Sequence, residues 1–491
     1  MFDSQKVTIA SLIAVLAIAL SVIVIAAEDS AEPSDQNGPP FSLTVKSRLV
    51  GPIGHDKDPA GDSWPMAVSA DGKHVAAIVM LVNGKKCVNL DGRNLKEYDW
   101  VLPPLTFSPD SKRLAYVAGA DHDRFLVLDE KETEFDGRVT QMLFSPDSQR
   151  FAFTVDYGDG TGWIVSDGVK SARYTHGVFC PVFSPDSKHF AYFVSTEDHS
   201  LLIVVDGKES EPRHNGLNIN QPPAFTPNSQ TLMYLTGAVD KEILVMGDEE
   251  KPEYAAIPVF SPDGKRTANV RRTEKGFTLV VDDGKGATVV SKEYLRIRCI
   301  VFSPDSQHCA FLAVSESPNA RQHECVVLDG VGQKEYPEIA GVVFSPDSKR
   351  LAYVAMLPAG KQCVVVNGVE GPAYKRIAFL EWAKGIVEWQ YNPNLNPPHV
   401  VFSPDSAHVA YFALKGEIET VLKDESRKSG LVDEGPFVIV VDGVEADPNM
   451  VPCADILWDS PTTLHTIMHD KTNSHLIQII LTPAPLDENG G

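Results

Sequence analysis

A five-residue phrase, Phe-Ser-Pro-Asp-Ser, recurs along this chain, each time followed by a short strand of small and aromatic residues. It begins at Phe107, Phe144, Phe183, Phe302, Phe344 and Phe402, with variants from Phe225 and Phe260. Degenerate copies stand at Val68 and Trp458, which makes ten in all, mostly 35 to 42 residues apart. Self-similarity at such a spacing constrains the architecture more than any composition value, because each repeat must be one supersecondary unit that buries its apolar face against its neighbours.

A period near forty accommodates four short strands and their turns. An apolar strand ends at the Phe, and Ser-Pro-Asp-Ser turns the chain: Pro presets φ, while Asp and Ser can bond the local backbone. The second strand sets a small Ala beside an aromatic ring, as in Ala115-Tyr116 and Ala352-Tyr353. The third is continuous and β-branched, ending in Asp-Gly or Asn-Gly at Gly207, Gly330, Gly368 and Gly443. That dipeptide is a strong hairpin signal, since both turn residues need φ > 0. The fourth strand is more polar, as suits an outer edge. Sheets of this kind bury both faces by stacking radially, so the expected fold is an all-β propeller of about ten four-stranded blades; two adjoining smaller propellers are the alternative.

The phrase and the strand after it resemble the WD-like propeller repeats of the TolB family, across roughly residues 64 to 482. The resemblance implies a β-propeller. Two departures limit it: no α/β domain precedes the repeats, and the Val-Val-Asp-Gly third strand is this chain's own. A role in a Tol system is therefore not carried over.

The last repeat offers three strands and stops, while Phe41–Val50 stands alone ahead of the first repeat. The expectation is that 41–50 supplies the missing strand of the last blade, leaving no open edge where the ring closes. Ahead of it, Val7–Ala27 is an uncharged apolar run of 21 residues, long enough to span a bilayer as a helix. It reads as a membrane anchor or as a cleaved signal peptide. Residues 28–40 read as a disordered linker, 41–484 as the propeller and 485–491 as a tail.

A net charge of −22 spread along the chain opposes binding to nucleic acid, which needs clustered Lys and Arg. The seven cysteines are too few for a disulfide framework. Cys87, Cys325 and Cys363 fill one repeat slot in different sheets and are expected as buried thiols. No zinc spacing is present and no cofactor is expected.

Three residues after each marker lies an acid: Asp71, Asp110, Asp147, Asp186, Asp263, Asp305, Asp347 and Asp405, with Asn228 the exception. Six residues after it lies a base: His74, Arg113, Arg150, His189, Arg266, His308, Arg350 and His408, with Thr231 the exception. They read either as a charged annulus for a ligand or as turn-capping Asp residues paired with hairpin bases, and the repetition favours the structural reading. His469 and His475 flank five residues, which would set them opposite one another in a hairpin, about 5 Å apart, as weak metal candidates. Gly158–Gly162 reads as a Gly-rich hairpin rather than a calcium loop.

Two insertions break the period. One lies between Gly368 and Phe402 and carries Trp382, Trp389 and Tyr391, a candidate binding element because aromatic residues in loops favour contact sites. The other, Leu414–Pro436, is charged with both signs and reads as a solvated segment. No Gly-x-Ser-x-Gly, P-loop, HExxH or dinucleotide fingerprint appears. The chain is thus expected to be an exported or tethered binding or scaffold module at the cell envelope, with a protein or glycan partner and membrane contact only through residues 7–27. The alternative is a propeller enzyme, a lyase or hydrolase, with a site at one mouth of the central channel.

Overall fold

The computed structural model describes residues 21–22, 41–52, 66–121, 123–195, 201–211, 222–237, 242–316, 322–358, 360–377, 400–415, 437–452, 455–469 and 473–483. Every regular element among them is a β-strand. The strands form ten antiparallel four-stranded blades, each a simple meander. Blades 1 to 8 span 66–98, 100–134, 138–170, 178–209, 224–251, 259–289, 296–336 and 339–370. Blade 9 spans 376–452 and blade 10 joins 457–483 to 41–52.

Patterning explains each layer. The middle strands are packed on both faces and are mostly apolar: Val409–Leu414 and Phe437–Val441 are buried at every residue. The outer strand of blade 2, Lys131–Glu134, is exposed at every residue, and its charges blunt an unpaired edge. Between third and fourth strands the dipeptide turns hold positive φ at both positions, for example 53° at Asp167 and 79° at Gly168. That geometry matches the twist of the flanking strands.

First strands of successive blades touch one another, 66–68 against 100–107 and 296–302 against 339–344, so these strands face the ring axis. Because strands alternate in direction, turns between strands 1 and 2 and between 3 and 4 lie on one face of the ring, here the turn face. Hairpins between strands 2 and 3 and the crossings between blades lie on the other, the loop face.

Ten hydrophobic cores sit between the blades, one per junction. Blades 1 and 2 share Ala76, Val88, Tyr98, Tyr116 and Val127. Blades 8 and 9 share Val354, Tyr374, Tyr411 and Val440, and blades 9 and 10 share Phe41, Phe412, Ile439 and Ile479. The tenth joins Ile467 of blade 10 to Val75 of blade 1. Ten blades with ten cyclic junctions make one ring rather than two. Each fully buried large side chain contributes about 2–3 kcal/mol. An aromatic pair recurs at the junctions: Tyr98 meets Tyr116 edge-on at 6.4 Å, Tyr336 meets Tyr353 at 6.3 Å, and Tyr374 meets Tyr411 at 6.1 Å.

The N-terminal strand completes blade 10 as the sequence leads one to expect. Phe41–Pro52 runs antiparallel to Asn473–Pro483, with Leu43 opposite Leu481, Val45 opposite Ile479 and Arg48 opposite Leu476. Phe41 and Val45 are buried in the junction with blade 9. Within the apolar run, Ser21 and Val22 pair with Ser47 and Lys46. Among the described residues no helix is long and apolar enough to cross a membrane.

Candidate functional site

The repeated charges of the turn face are placed by the turn itself. In blade 3, Ser145 Oγ donates to Asp147 Oδ1 at 2.5 Å, and the same carboxylate oxygen accepts from the Gln149 amide. Ser145 Oγ in turn accepts from the Arg150 amide at 2.9 Å. The pattern repeats around Asp110, Asp186, Asp263, Asp305, Asp347 and Asp405. Hydrogen bonds to the ionised form hold these carboxyls below the usual range. Asp186 and Asp263 fall to about 2, with the hydroxyls of Ser184 and Ser261 the largest cause.

The bases six residues after each marker do not pair with these acids. Six of them reach the Asp that ends the third strand: Arg113 Nε donates to Asp129 Oδ2 and Arg150 Nε to Asp167 Oδ2, both at 2.8 Å. His74, His189, His308 and His408 make the same contact with Asp91, Asp206, Asp329 and Asp442, at 2.6–2.7 Å. The expected partner was wrong because a tight turn places positions 3 and 6 on opposite arms, while the neighbouring hairpin brings its Asp alongside position 6. The remaining guanidinium donors cross to the next blade. Arg150 Nη1 donates to the carbonyls of Ser187 and Lys188, each at 2.9 Å, and its guanidinium covers the Phe183 ring at 4.9 Å.

One role was not legible in the sequence. The second Ser of the phrase closes its own turn with its amide, while its hydroxyl accepts the Asp amide of the preceding blade. Asp110 N donates to Ser148 Oγ, Asp147 N to Ser187 Oγ and Asp305 N to Ser348 Oγ, each at 3.0 Å. These serines hold left-handed φ values of 62–64°. The turn face is thus a hydrogen-bonded belt: its carboxylates are held within their own blade, and its arginine Nη1 groups and Asp amides cross to the next.

The histidines near the last hairpin do not form the expected pair. His469 pairs with Ser474 and His475 with Met468, so the two occupy alternate register positions, which belong to opposite faces of the sheet. His475 Nδ1 meets Ser47 Oγ at 3.3 Å. His465 is 4% exposed, with Nε2 3.0 Å from the Asp71 carbonyl of blade 1 and Nδ1 3.0 Å from Asp459 Oδ2. It ties the last blade to the first. Gly72 has no side chain there because a Cβ would stand 2.7 Å from His465 Nε2. Among the described residues no three His, Cys, Asp or Glu side chains converge to hold a metal ion.

Cys87, Cys325 and Cys363 are buried thiols, as are Cys180, Cys299 and Cys309. Burial pushes Cys180 and Cys363 up to about 11 and Cys309 to about 12. Gly158 and Gly160 take positive φ in a hairpin, where Asp159 bonds Thr161 and Arg173.

Trp382, Trp389 and Tyr391 lie outside the described residues, but both ends of the segment that carries them are placed. Ile377 pairs with Ala413 and Val400 with Tyr411, both on the second strand of blade 9. The insertion therefore enters and leaves inside the first strand, not between blades. Other first strands carry a bulge at the same depth, between Phe179 and Val182, Arg298 and Val301, and Ala340 and Val343. Blade 9 has expanded that bulge to 22 residues, 378–399. Its roots lie in the strand nearest the ring axis. Bulges are a usual way to aim side chains beside a site. Most of the charged insertion, 416–436, lies outside the described residues.

No protein family description matches the sequence, and no curated protein does. Among solved structures the chain is similar to TolB from Acinetobacter baumannii, at 13% identity, over 54% of this chain and 77% of that one, with a TM-score of 0.25. It is also similar to a prolyl endopeptidase, at 11% identity, over 65% of this chain and 55% of that one, with a TM-score of 0.33. The architecture is established by the blades and their cyclic junctions: the chain is a β-propeller of ten blades in one ring.

Proposed function

We propose that this propeller is a non-enzymatic binding or scaffold module, exported or tethered at the cell envelope, and that the 378–399 segment is its contact element. The observation that supports the reading is the rooting of that segment at the bulge of an axis-facing strand. It lets a short aromatic insertion meet a partner from a rigid platform, at little cost in ordering. The turn face, by contrast, spends its arginines on neighbouring carbonyls and carboxylates. The partner is a protein or glycan, since Trp and Tyr supply rigid, amphipathic contact area. Export rests on the apolar run of 7–27.

The test is crosslinking capture from envelope extracts with the full chain, beside a Trp382→Ala/Trp389→Ala variant. Loss of capture with an unchanged melting temperature supports the reading. Retained capture sinks it, and so does a variant that unfolds, because the indoles would then belong to the core. Fractionation of cells expressing the full chain tests the address: a cytoplasmic pool alone contradicts it.

A further inference from the structure

We infer that the ring carries one built-in opening seam, between blades 5 and 6, and that it lies diametrically across from the junction that closes the ring. The devices that bind blades elsewhere fail together at this place. Asn228 stands where the other turns have Asp, and Gly264 offers no hydroxyl to its amide. Thr231 stands where Arg or His reaches the next blade, and Gly247 where Asp would anchor that base. Asn269 of blade 6 occupies the slot that holds Tyr116, Tyr192, Phe311 and Tyr353 in other blades, so Tyr254 has no ring to meet across the junction.

The apolar core shrinks at the same junction. Among the described residues its buried cluster is Met233, Leu235 and Leu244, all from blade 5; blade 6 adds the buried Val280, opposite Asn269, and partly buried groups such as Ile257 and Phe260. Junctions 6 to 7, 7 to 8 and 8 to 9 each bury twelve. A difference of that size decides which junction parts at the lowest free energy, since opening a repeat array costs the interface between neighbours. The closing junction between blades 10 and 1 has a small core too. There, however, His465 bonds the Asp71 carbonyl, and the N-terminal strand packs against the middle strands of blade 1.

Beside that small core, one clasp described at the seam lies near the loop face. Arg272 of blade 6 donates through Nη2 to Glu242 Oε2 at 2.7 Å and through Nη1 to the Glu242 carbonyl at 2.5 Å. Both side chains are largely shielded, at 25% and 14% exposure. Among the described residues the turn face has no counterpart, so opening pivots about the clasp and parts the turn face first.

Hydrogen exchange on the full chain tests this. Strands 232–236, 243–246 and 267–272 should exchange about ten-fold faster than their equivalents in blades 3 and 8. Arg272→Ala should accelerate exchange at these strands and leave blades 3 and 8 unchanged. Gly264→Ser should slow it by about three-fold or more, supplying the hydroxyl that the Asn228 amide lacks. That substitution fits: Gly264 has φ 69°, close to the belt serines, and a Cβ there meets nothing within 4 Å. Uniform exchange across blades, or first opening between blades 10 and 1, would overturn the inference. If Arg272→Ala fails to fold, the wild-type comparison and Gly264→Ser still decide it.

Discussion

The main-chain amide of Asp147 donates to the hydroxyl of Ser187 in the following blade, at 3.0 Å. Ser187 is 3% exposed and holds φ at 62°, a conformation that a side chain adopts at some cost. The cost is accepted because no other residue of that size accepts a hydrogen bond there. Glycine would relieve the backbone and lose the acceptor; alanine would lose the acceptor and keep the strained backbone. Ser187→Ala should therefore destabilise the ring by about 1–3 kcal/mol, and Ser187→Gly by less. Urea midpoints of the two variants check the order. Midpoints equal to that of the wild type would mean that the hydroxyl contributes nothing across the junction.

Arg350 is the one belt arginine with a buried Nε that has no partner. Its blade ends the third strand in Asn367 rather than Asp, and Asn367 Oδ1 is already occupied by the Leu351 amide at 2.8 Å. The other terminal atom of Asn367 is an amide nitrogen, which cannot accept. Asn367→Asp supplies a second oxygen, as Asp129 and Asp167 do for Arg113 and Arg150. The substitution should stabilise the chain by about 1 kcal/mol, read as a rise in melting temperature. No rise would show that water already satisfies Arg350.

Much of this was legible before any coordinates. The phrase at Phe107 and Phe344 gave strand, turn and strand, and the lone segment 41–50 gave the closure. These are local patterns or exclusions that a linear reading can weigh. What stayed hidden were relationships between blades. The partner of Asp110 is Ser148, 38 residues on, and nothing in the phrase itself says that its second Ser serves the previous repeat. Period alone counts the extra residues between Gly368 and Phe402 without saying where they enter the blade. Only strand register shows that Ile377 and Val400 belong to one strand.

The belt carboxylates tie stability to acid. Each is held below its ordinary value in the folded ring, so folding favours the ionised form. Their contribution is complete above the unfolded carboxylate range and disappears as pH falls from about 4 toward 2. Melting temperature should drop through that window. Asp186→Asn and Asp263→Asn, which remove the two groups that titrate near 2, should flatten the decline. A wild-type curve that is flat between pH 4 and 2 contradicts the assignment.

Six thiols are buried and three of them are raised to about 11 or 12, so the native chain should be nearly inert to a thiol-reactive dye at pH 8. At most one of the seven cysteines should react before denaturant is added, since Cys453 alone lies outside the described residues. All seven should react afterwards. Prompt labelling of two or more in native buffer would mean that a junction core is open.

The ladder between Phe41–Pro52 and Asn473–Pro483 makes the ring depend on its own beginning. Removing residues 1–40 takes away nothing but Ser21 and Val22 from the described sheets, so that truncation should melt as the full chain does. Removing residues 1–52 strips the outer strand from blade 10. It uncovers the row of main-chain groups along Asn473–Pro483 and takes Phe41 and Val45 out of the core shared with blade 9. An unpaired edge of that length invites pairing between molecules. The shorter chain should therefore associate on size-exclusion chromatography. A synthetic peptide of residues 41–52 added during refolding should restore the monomer, because the lost contacts are main-chain bonds and two apolar anchors that a free strand can supply. A monomer that melts normally without residues 41–52 would show that blade 10 closes the ring with three strands.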